Sequence, residues 1–507
     1  MITVDGDHLR IEDIVAVACS CEKVKLEQKV KERVVKARET VESIISSGKT
    51  VYGVSTGFGE LAKVSISQEE MDALQRNLIR SHSCGVGKNL SAEMVRAMMV
   101  LRANSLAKGY SGVRLELLEL LVEMLNKRVH PVVPEKGSLG ASGDLIPLAH
   151  VALALVGEGK VEFENKVYDA VDGLKKAGLK PIKLKAKEGL ALINGTQLMT
   201  AYCVFAVHDA ELLLKNALIA GIMSLEALRG TDQAFRQELH GLRPHRGQRI
   251  CAKSLWELTR ESEIVASHKE CPKVQDAYTL RCMPQVFGAV YDAISFVRFI
   301  TEIEINSVTD NPIILPDRNE SLSGGNFHGQ PLALALDMLS IAVATLGTFS
   351  ERRIARLIDA NLSGLPSFLT EKSGLNSGFM LPHYVAVSLV CENKILAHPA
   401  SVDSIPVSAN QEDHVSMGTA AGCKLRRIIE NVQHIIAIEY LTASQGLEFL
   451  KPLKSSPAIQ DAYNMIRNRV PRLEEDRPLH GDISKVVEMT RSGEIVKTVE
   501  NRIGELF

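Results

Sequence analysis

The chain has 507 residues, 59 basic and 61 acidic side chains, a formal net charge of -2, and 45% apolar against 24% charged residues. These values exclude a disordered or low-complexity chain, and the near-zero charge argues against a nucleic-acid surface working by counterion release. Nine cysteines without regular spacing give neither a disulfide framework nor a zinc-ligand pair, which fits a reduced, cytoplasmic protein. The opening Met1-Ile2-Thr3-Val4-Asp5 has no basic stretch followed by an apolar run, so no signal peptide is expected.

In chain order, residues 50–52 read as a short strand. Residues 113–127 read as a helix whose polar stripe is Glu116, Glu119, Glu123 and Lys127, with Glu123 and Lys127 in the favourable i,i+4 order. Residues 161–168 read as a hairpin around Glu164-Asn165. Residues 208–229 and 289–305 read as long helices. The apolar stretch 332–349 carries Asp337, Ser340, Thr345 and Thr348 and is followed by Glu351-Arg352-Arg353. It reads as a buried core helix, with no membrane span expected. Leu425, Ile428, Ile429, Val432, Ile435 and Ile436 repeat at helical spacing. The expected fold is mainly α, a long-helix bundle with a few small β pieces in the first third. A boundary near residue 110 would separate a mixed N-terminal region, 1–110, from a helical region, 111–507. Apolar helices with few aromatics make helix packing across subunits a reasonable expectation.

Several chemistries are excluded. There is no phosphate loop, Gly57-Phe58-Gly59 lacks the third glycine of a dinucleotide fingerprint, and there is no His-Glu-x-x-His. His240 and His245 read as structural, and no metal site is expected. Gly140-Ala141-Ser142-Gly143-Asp144 ends on Asp144 where a serine-hydrolase elbow needs glycine. The Gly-Ser-Ser-x-Met-Pro string of the fumarase-type lyases is also missing.

That same segment is the most informative in the chain. On residue types alone it is a tight turn feeding a helix, with Asp144 near the N-cap. A second reading stays open beside it. In a sufficiently tight turn the Gly143 nitrogen reaches the Ala141 carbonyl carbon and closes a five-membered ring. Loss of the Ser142 hydroxyl then leaves an exocyclic methylidene, an electrophile made from the chain itself.

The string from Gly137 to Pro147 resembles the prosthetic-group motif of the aromatic amino-acid ammonia-lyases and aminomutases. Matches to that family run from Tyr52 to beyond Glu412. The resemblance implies a methylidene-imidazolone formed from Ala141, Ser142 and Gly143, with no metal. It implies the ammonia-lyase helical fold and a homotetramer whose sites draw on several subunits. Residues 52–59 resemble the family's tyrosine loop, which makes Tyr52 the candidate base for a β-proton. Asn194, in Leu192-Ile193-Asn194-Gly195-Thr196, would hydrogen-bond near the prosthetic group. In the Gln275-to-Cys282 string, Arg281 would hold the substrate carboxylate while Gln275 and Tyr278 line the site. Phe327 would lie close to the prosthetic group. Without the family, these residues read as capping, ion-pair and core residues.

Two positions bear on the substrate. Phenylalanine enzymes typically carry Phe-Leu, and tyrosine enzymes His-Leu, where this chain has Ser81-His82. The phenylalanine enzymes typically carry Gln where Glu412 stands. Both positions here resemble the histidine-acting members, as does the segment from Ala397 to Pro406. His82 offers a hydrogen bond to an imidazole that leucine cannot, and Glu412 can accept from an imidazole N–H or a substrate amine. The implied reaction is the deamination of L-histidine, with a tyrosine- or phenylalanine-directed lyase or aminomutase as the alternative. A helical assembly protein with a dead site is a further alternative, and intact Tyr52, Ala141, Ser142 and Gly143 argue against it.

Overall fold

The polar stripe of residues 113–127 turns outward in the helix Leu115–Asn126. Leu117, Leu118, Leu121, Val122, Met124 and Leu125 are buried, while Glu116 and Glu123 face solvent. Burial of each such leucine contributes about 2 kcal/mol. The Glu123–Lys127 pair is not formed, because Lys127 Nζ donates to the Ala177 carbonyl at 2.9 Å. This computed structural model describes residues 1–48, 51–53, 56–57, 66–67, 69–268 and 274–507. Thr50 of the expected strand and much of the Tyr52 loop (Val54, Ser55, Phe58, Gly59) lie outside the described residues. Val51 and Tyr52 are not in a strand.

Helices dominate, and the long ones extend further than their amphipathic stripes predict. Residues 208–227 belong to Gln197–Ala227, with Leu228 and Arg229 just past its end, and residues 289–305 belong to Met283–Ile305. The stretch from Leu198 to Val207 is buried almost all round. A helix apolar on every side has no stripe to find. Residues 332–349 lie in Gln330–Ile358, which is long and apolar enough to cross a membrane but buries Leu332, Leu336, Leu339, Val343 and Leu346. The 425–436 repeat sits inside Gly418–Glu448.

Strands are short. Ile2–Val4 pairs in parallel with Val24–Leu26, and Val86–Asn89 pairs antiparallel with Pro134–Lys136. Lys160–Phe163 and Lys166–Asp169 form the expected hairpin, with His130–Pro131 on its edge. Its turn residues Glu164 and Asn165 have φ of 50° and 60°, the pattern of a type I′ turn. One hairpin lies outside the first third: Ile313–Leu315 pairs with Glu320–Leu322. Its three-residue strands, bracketed by Pro312 and Pro316, are too short to carry a two-residue period.

The chain forms two compact units. One comprises Met1–Phe205, Val297–Asp337 and Pro399–Cys423; the other comprises Ala206–Phe296, Met338–His398 and Lys424–Phe507. In the second unit, Arg353 and Glu439 form a fully buried ion pair, with Ser224 and Ser350 also donating to the carboxylate. In the first unit, the helices Met71–His82, Leu145–Leu155 and Glu188–Ile193 pack against one another. His82 ends the first, Asp144 immediately precedes the second, and Asn194 immediately follows the third. Their packing brings three polar helix ends to one place.

Candidate active site

Ser142 sits where those helix ends meet. Its hydroxyl donates to Glu412 Oε1 at 3.0 Å, and its carbonyl accepts from Asn194 Nδ2 at 2.8 Å. Gly143 next to it has φ of +78° and pairs with Gly195 in an isolated parallel bridge. A Cβ on Gly143 would lie 2.2 Å from the Gly195 carbonyl oxygen. Conformation and space therefore both demand glycine there. Gly140, φ +69°, is as tightly enclosed, since a Cβ would meet Ser416 Oγ at 2.2 Å.

Asp144 stands where the N-cap expectation puts it, with a different job for its side chain. It occupies the N-cap position of Leu145–Leu155 but makes no side-chain cap there. Its Oδ2 instead accepts from the Leu198 and Met199 amides, both at 2.9 Å, at the start of Gln197–Ala227. Oδ1 accepts from Ser138 Oγ at 3.0 Å and Thr419 Oγ1 at 2.9 Å. Burial pushes this carboxyl up to about 6, against the pull of those four donors. Asp144 is thus pinned through side chain and backbone together, since its amide also donates to the Gly195 carbonyl at 2.6 Å. Sequence reading missed Ser138, Thr419 and Ser416 as supports, because small hydroxyl residues carry no periodic signal.

Glu412 reaches Ser142 from a loop closed by paired backbone bonds between Val407 and Glu412, at 3.0 and 3.3 Å. Ser408, Ala409 and Asn410 all have positive φ, so three consecutive non-glycine residues hold an unfavourable conformation to form that loop. Each costs about 1–3 kcal/mol, and such strain clusters where a side chain must be aimed.

His82 Nδ1 lies 2.8 Å from the Leu78 carbonyl. A carbonyl only accepts, so Nδ1 carries the hydrogen and a neutral ring leaves Nε2 as an acceptor. Burial lowers the His82 pKa, against the Leu78 carbonyl and the Glu412 carboxylate, which favour the charged form. A cavity of about 240 Å³ is lined by His82, Cys84, Ala141, Ser142, Val407 and Glu412, among others. Cys84 and Val407 were not foreseen.

Of the expected site residues, the first unit brings together His82, Ala141, Ser142, Gly143, Asn194 and Glu412. Tyr52 is half-buried in a turn where the Gly53 amide donates to Thr56 Oγ1 at 3.2 Å. Phe327 is half-buried in another turn. Neither is among the cavity's lining residues. Gln275, Tyr278 and Arg281 belong to the second unit and do not line this cavity. There, the Arg281 guanidinium lies 4.7 Å from the centre of the Tyr278 ring, and Tyr278 is 70% exposed. Among the described residues no cluster of His, Cys, Asp and Glu could hold a metal ion.

The sequence pattern of the aromatic amino acid lyases matches residues 9–468. The chain belongs to the aromatic amino acid lyase family. It is a carbon–nitrogen lyase. Among its relatives, the histidine ammonia-lyase of Alkaliphilus oremlandii (strain OhILAs) is 52% identical over 502 residues, 99% of each chain. The crystal structure of histidine ammonia-lyase from Trypanosoma cruzi superposes with a TM-score of 0.92 at 43% identity, covering 99% of this chain and 95% of that one. The tyrosine aminomutase of Streptomyces globisporus superposes with a TM-score of 0.94 at 38% identity, covering 99% and 98%. The helical fold expected from the sequence is the fold of this family.

Proposed function

We propose that this lyase is a histidine ammonia-lyase, converting L-histidine to trans-urocanate and ammonia. The observation that carries the reading is Ser142 hydrogen-bonded to Glu412 in a cavity that His82 also lines. The Alkaliphilus relative, half identical along nearly its whole length, supports the same substrate.

The residues present fit a methylidene-imidazolone built from Ala141, Ser142 and Gly143. Gly143 has the left-handed bend and the closed surroundings that a ring-forming turn requires. Asn194 polarises the Ser142 carbonyl, and Glu412 is placed on the hydroxyl that must leave. Such a group supplies an electrophile that turns the substrate amine into a better leaving group.

The chain's own side chains do the rest. His82 Nε2 accepts the imidazole N–H, and Glu412 takes a hydrogen bond or proton from the imidazole or amine. Tyr52 removes the β-proton, so that one C–H and one C–N bond break as the double bond forms, with no change of oxidant. Arg281 pairs with the carboxylate, while Gln275, Tyr278 and Phe327 enclose the substrate. Asn194 Oδ1 is buried without a partner among the described residues. An unpaired buried acceptor costs about 1–3 kcal/mol, so the site favours a ligand that brings a donor.

The assembly is proposed as a homotetramer with shared sites. Three helices expose large apolar side chains at helical spacing: Phe296, Phe299 and Ile303; Leu334, Met338 and Ile341; Leu381, Tyr384 and Val385. Such stripes mark protein contacts.

The test is a panel of L-histidine, L-tyrosine and L-phenylalanine, following ultraviolet absorbance of the conjugated acid and release of ammonia. Urocanate from histidine alone is expected. Cinnamate or coumarate would overturn the substrate assignment, and no product from any of the three would overturn the lyase assignment.

A further inference from the structure

Arg102, in the helix Ala92–Ala107, is 1% exposed. A guanidinium keeps its charge, so it is buried only where acceptors surround it. Nη2 donates to the Ala191 carbonyl. Nη1 donates to the Asn194 carbonyl and to Gln197 Oε1, both at 3.1 Å, and faces the Thr309 carbonyl at 3.5 Å. The Ala191 and Asn194 carbonyls lie at the C-terminal end of Glu188–Ile193. Helix carbonyls there lack partners, and the dipole favours a cation. A buried negative charge nearby, Asp310, favours the guanidinium, although its two oxygens accept from Lys187 Nζ at 3.1 and 3.0 Å. Burial brings the Arg102 pKa down to about 10, with Asp310 opposing, so the group stays charged at neutral pH.

The stretch held in this way is the one that receives the reactive tripeptide. Asn194 donates to the Ser142 carbonyl, Gly195 pairs with Gly143, and the Gly195 carbonyl accepts the Asp144 amide. A Cβ on Gly195 would meet Arg102 Nη1 at 2.4 Å, so the guanidinium lies directly against this stretch. On one side Gly195 abuts Arg102, and through its carbonyl it abuts Gly143.

We propose that Arg102 is a positioning residue for closure of the Ala141-Ser142-Gly143 ring, fixing the 191–197 stretch that bends the tripeptide. The inference rests on the reading that this ring forms. Closure joins the Gly143 nitrogen to the Ala141 carbonyl carbon and expels one water. The Ser142 hydroxyl leaves with the serine α-hydrogen as a second water. No oxidant or reductant is needed. Arg102 touches neither bond and acts by placement alone. A misplacement of about 1 Å costs on the order of a hundredfold in rate.

The test is mass spectrometry of the Ala141-Ser142-Gly143 peptide from full-length protein sampled at intervals after synthesis is stopped. The readout is the deficit of two waters, independent of activity. Wild type is expected to carry the full deficit. Arg102→Met is expected to acquire it about a hundredfold more slowly, with Arg102→Lys intermediate because it keeps the charge but not the fork. The control is Arg96→Met in the same helix. Arg96 is equally buried but donates to the Val17 and Leu125 carbonyls, away from the site. It is expected to lose stability and still form the ring at the wild-type rate. Ring formation in Arg102→Met at the wild-type rate overturns the proposal, as does equal slowing in Arg96→Met. If Arg102→Met does not fold, Arg102→Lys carries the test, and an unslowed rate there overturns it. A wild-type chain without the deficit overturns the ring reading itself, and this inference with it.

Discussion

At the scale of single residues, the proposed role of His82 rests on what its ring can accept. With Nδ1 committed to Leu78, only Nε2 is left for a ligand. Replacing it with leucine removes that acceptor while keeping the cavity filled. His82→Leu is expected to raise KM for L-histidine by about 10- to 100-fold, the equivalent of about 1–3 kcal/mol for a buried donor left unpaired. Steady-state kinetics check this, and an unchanged KM would remove His82 from substrate recognition. The motif residues His82, Ser142, Asn194 and Glu412 were picked out by resemblance to the family, since their types alone read as capping or surface residues, and the fold brings them together. Arg102 was not. A single arginine in an apolar helix looks like a surface position, and only its burial against the carbonyls of Ala191 and Asn194 reveals otherwise.

At the scale of elements, the hairpin Lys160–Asp169 was legible because its turn has a local cause. Asn165 tolerates the left-handed region, but Glu164 at φ 50° does not sit there easily. Glu164→Asn is expected to stabilise the protein by about 0.5–1 kcal/mol through relief of that conformation. A rise in the urea midpoint at unchanged slope checks it. Helix cores were equally legible where one face is polar, as in Leu115–Asn126. The start of Gln197–Ala227 was not, because burial on every side erases the period that marks a helix. Asp144 fell between these cases. Its place before a helix was evident from sequence, but the helix whose amides it satisfies begins more than fifty residues further on.

At the scale of the whole molecule, buried titratable groups set how stability varies with pH. His130 is held to about 4, first by burial and then by Arg96, whose Nη1 lies 3.2 Å from His130 Nε2. Its folded pKa lies below the unfolded value of about 6.5, so between the two the unfolded chain binds the extra proton. This contribution is present at neutral pH and is lost as pH falls through that window. It amounts to at most about 3 kcal/mol, reduced by the ring's partial exposure. His130→Gln is expected to flatten the fall in urea midpoint between pH about 7 and about 4.5; an unchanged profile would assign the acid sensitivity elsewhere. The helical class of the molecule was legible from periodicity. Which distant residues meet was legible only through family resemblance, since no local pattern links Ser142 to a carboxylate 270 positions away. That distance has a consequence for the newborn chain. Translation at about 5–20 residues per second leaves roughly tens of seconds between the emergence of Ser142 and that of Glu412. Throughout that interval Ser142 lacks this partner, so a chain cut short before residue 412 keeps the serine without the carboxylate that its hydroxyl meets in the folded protein.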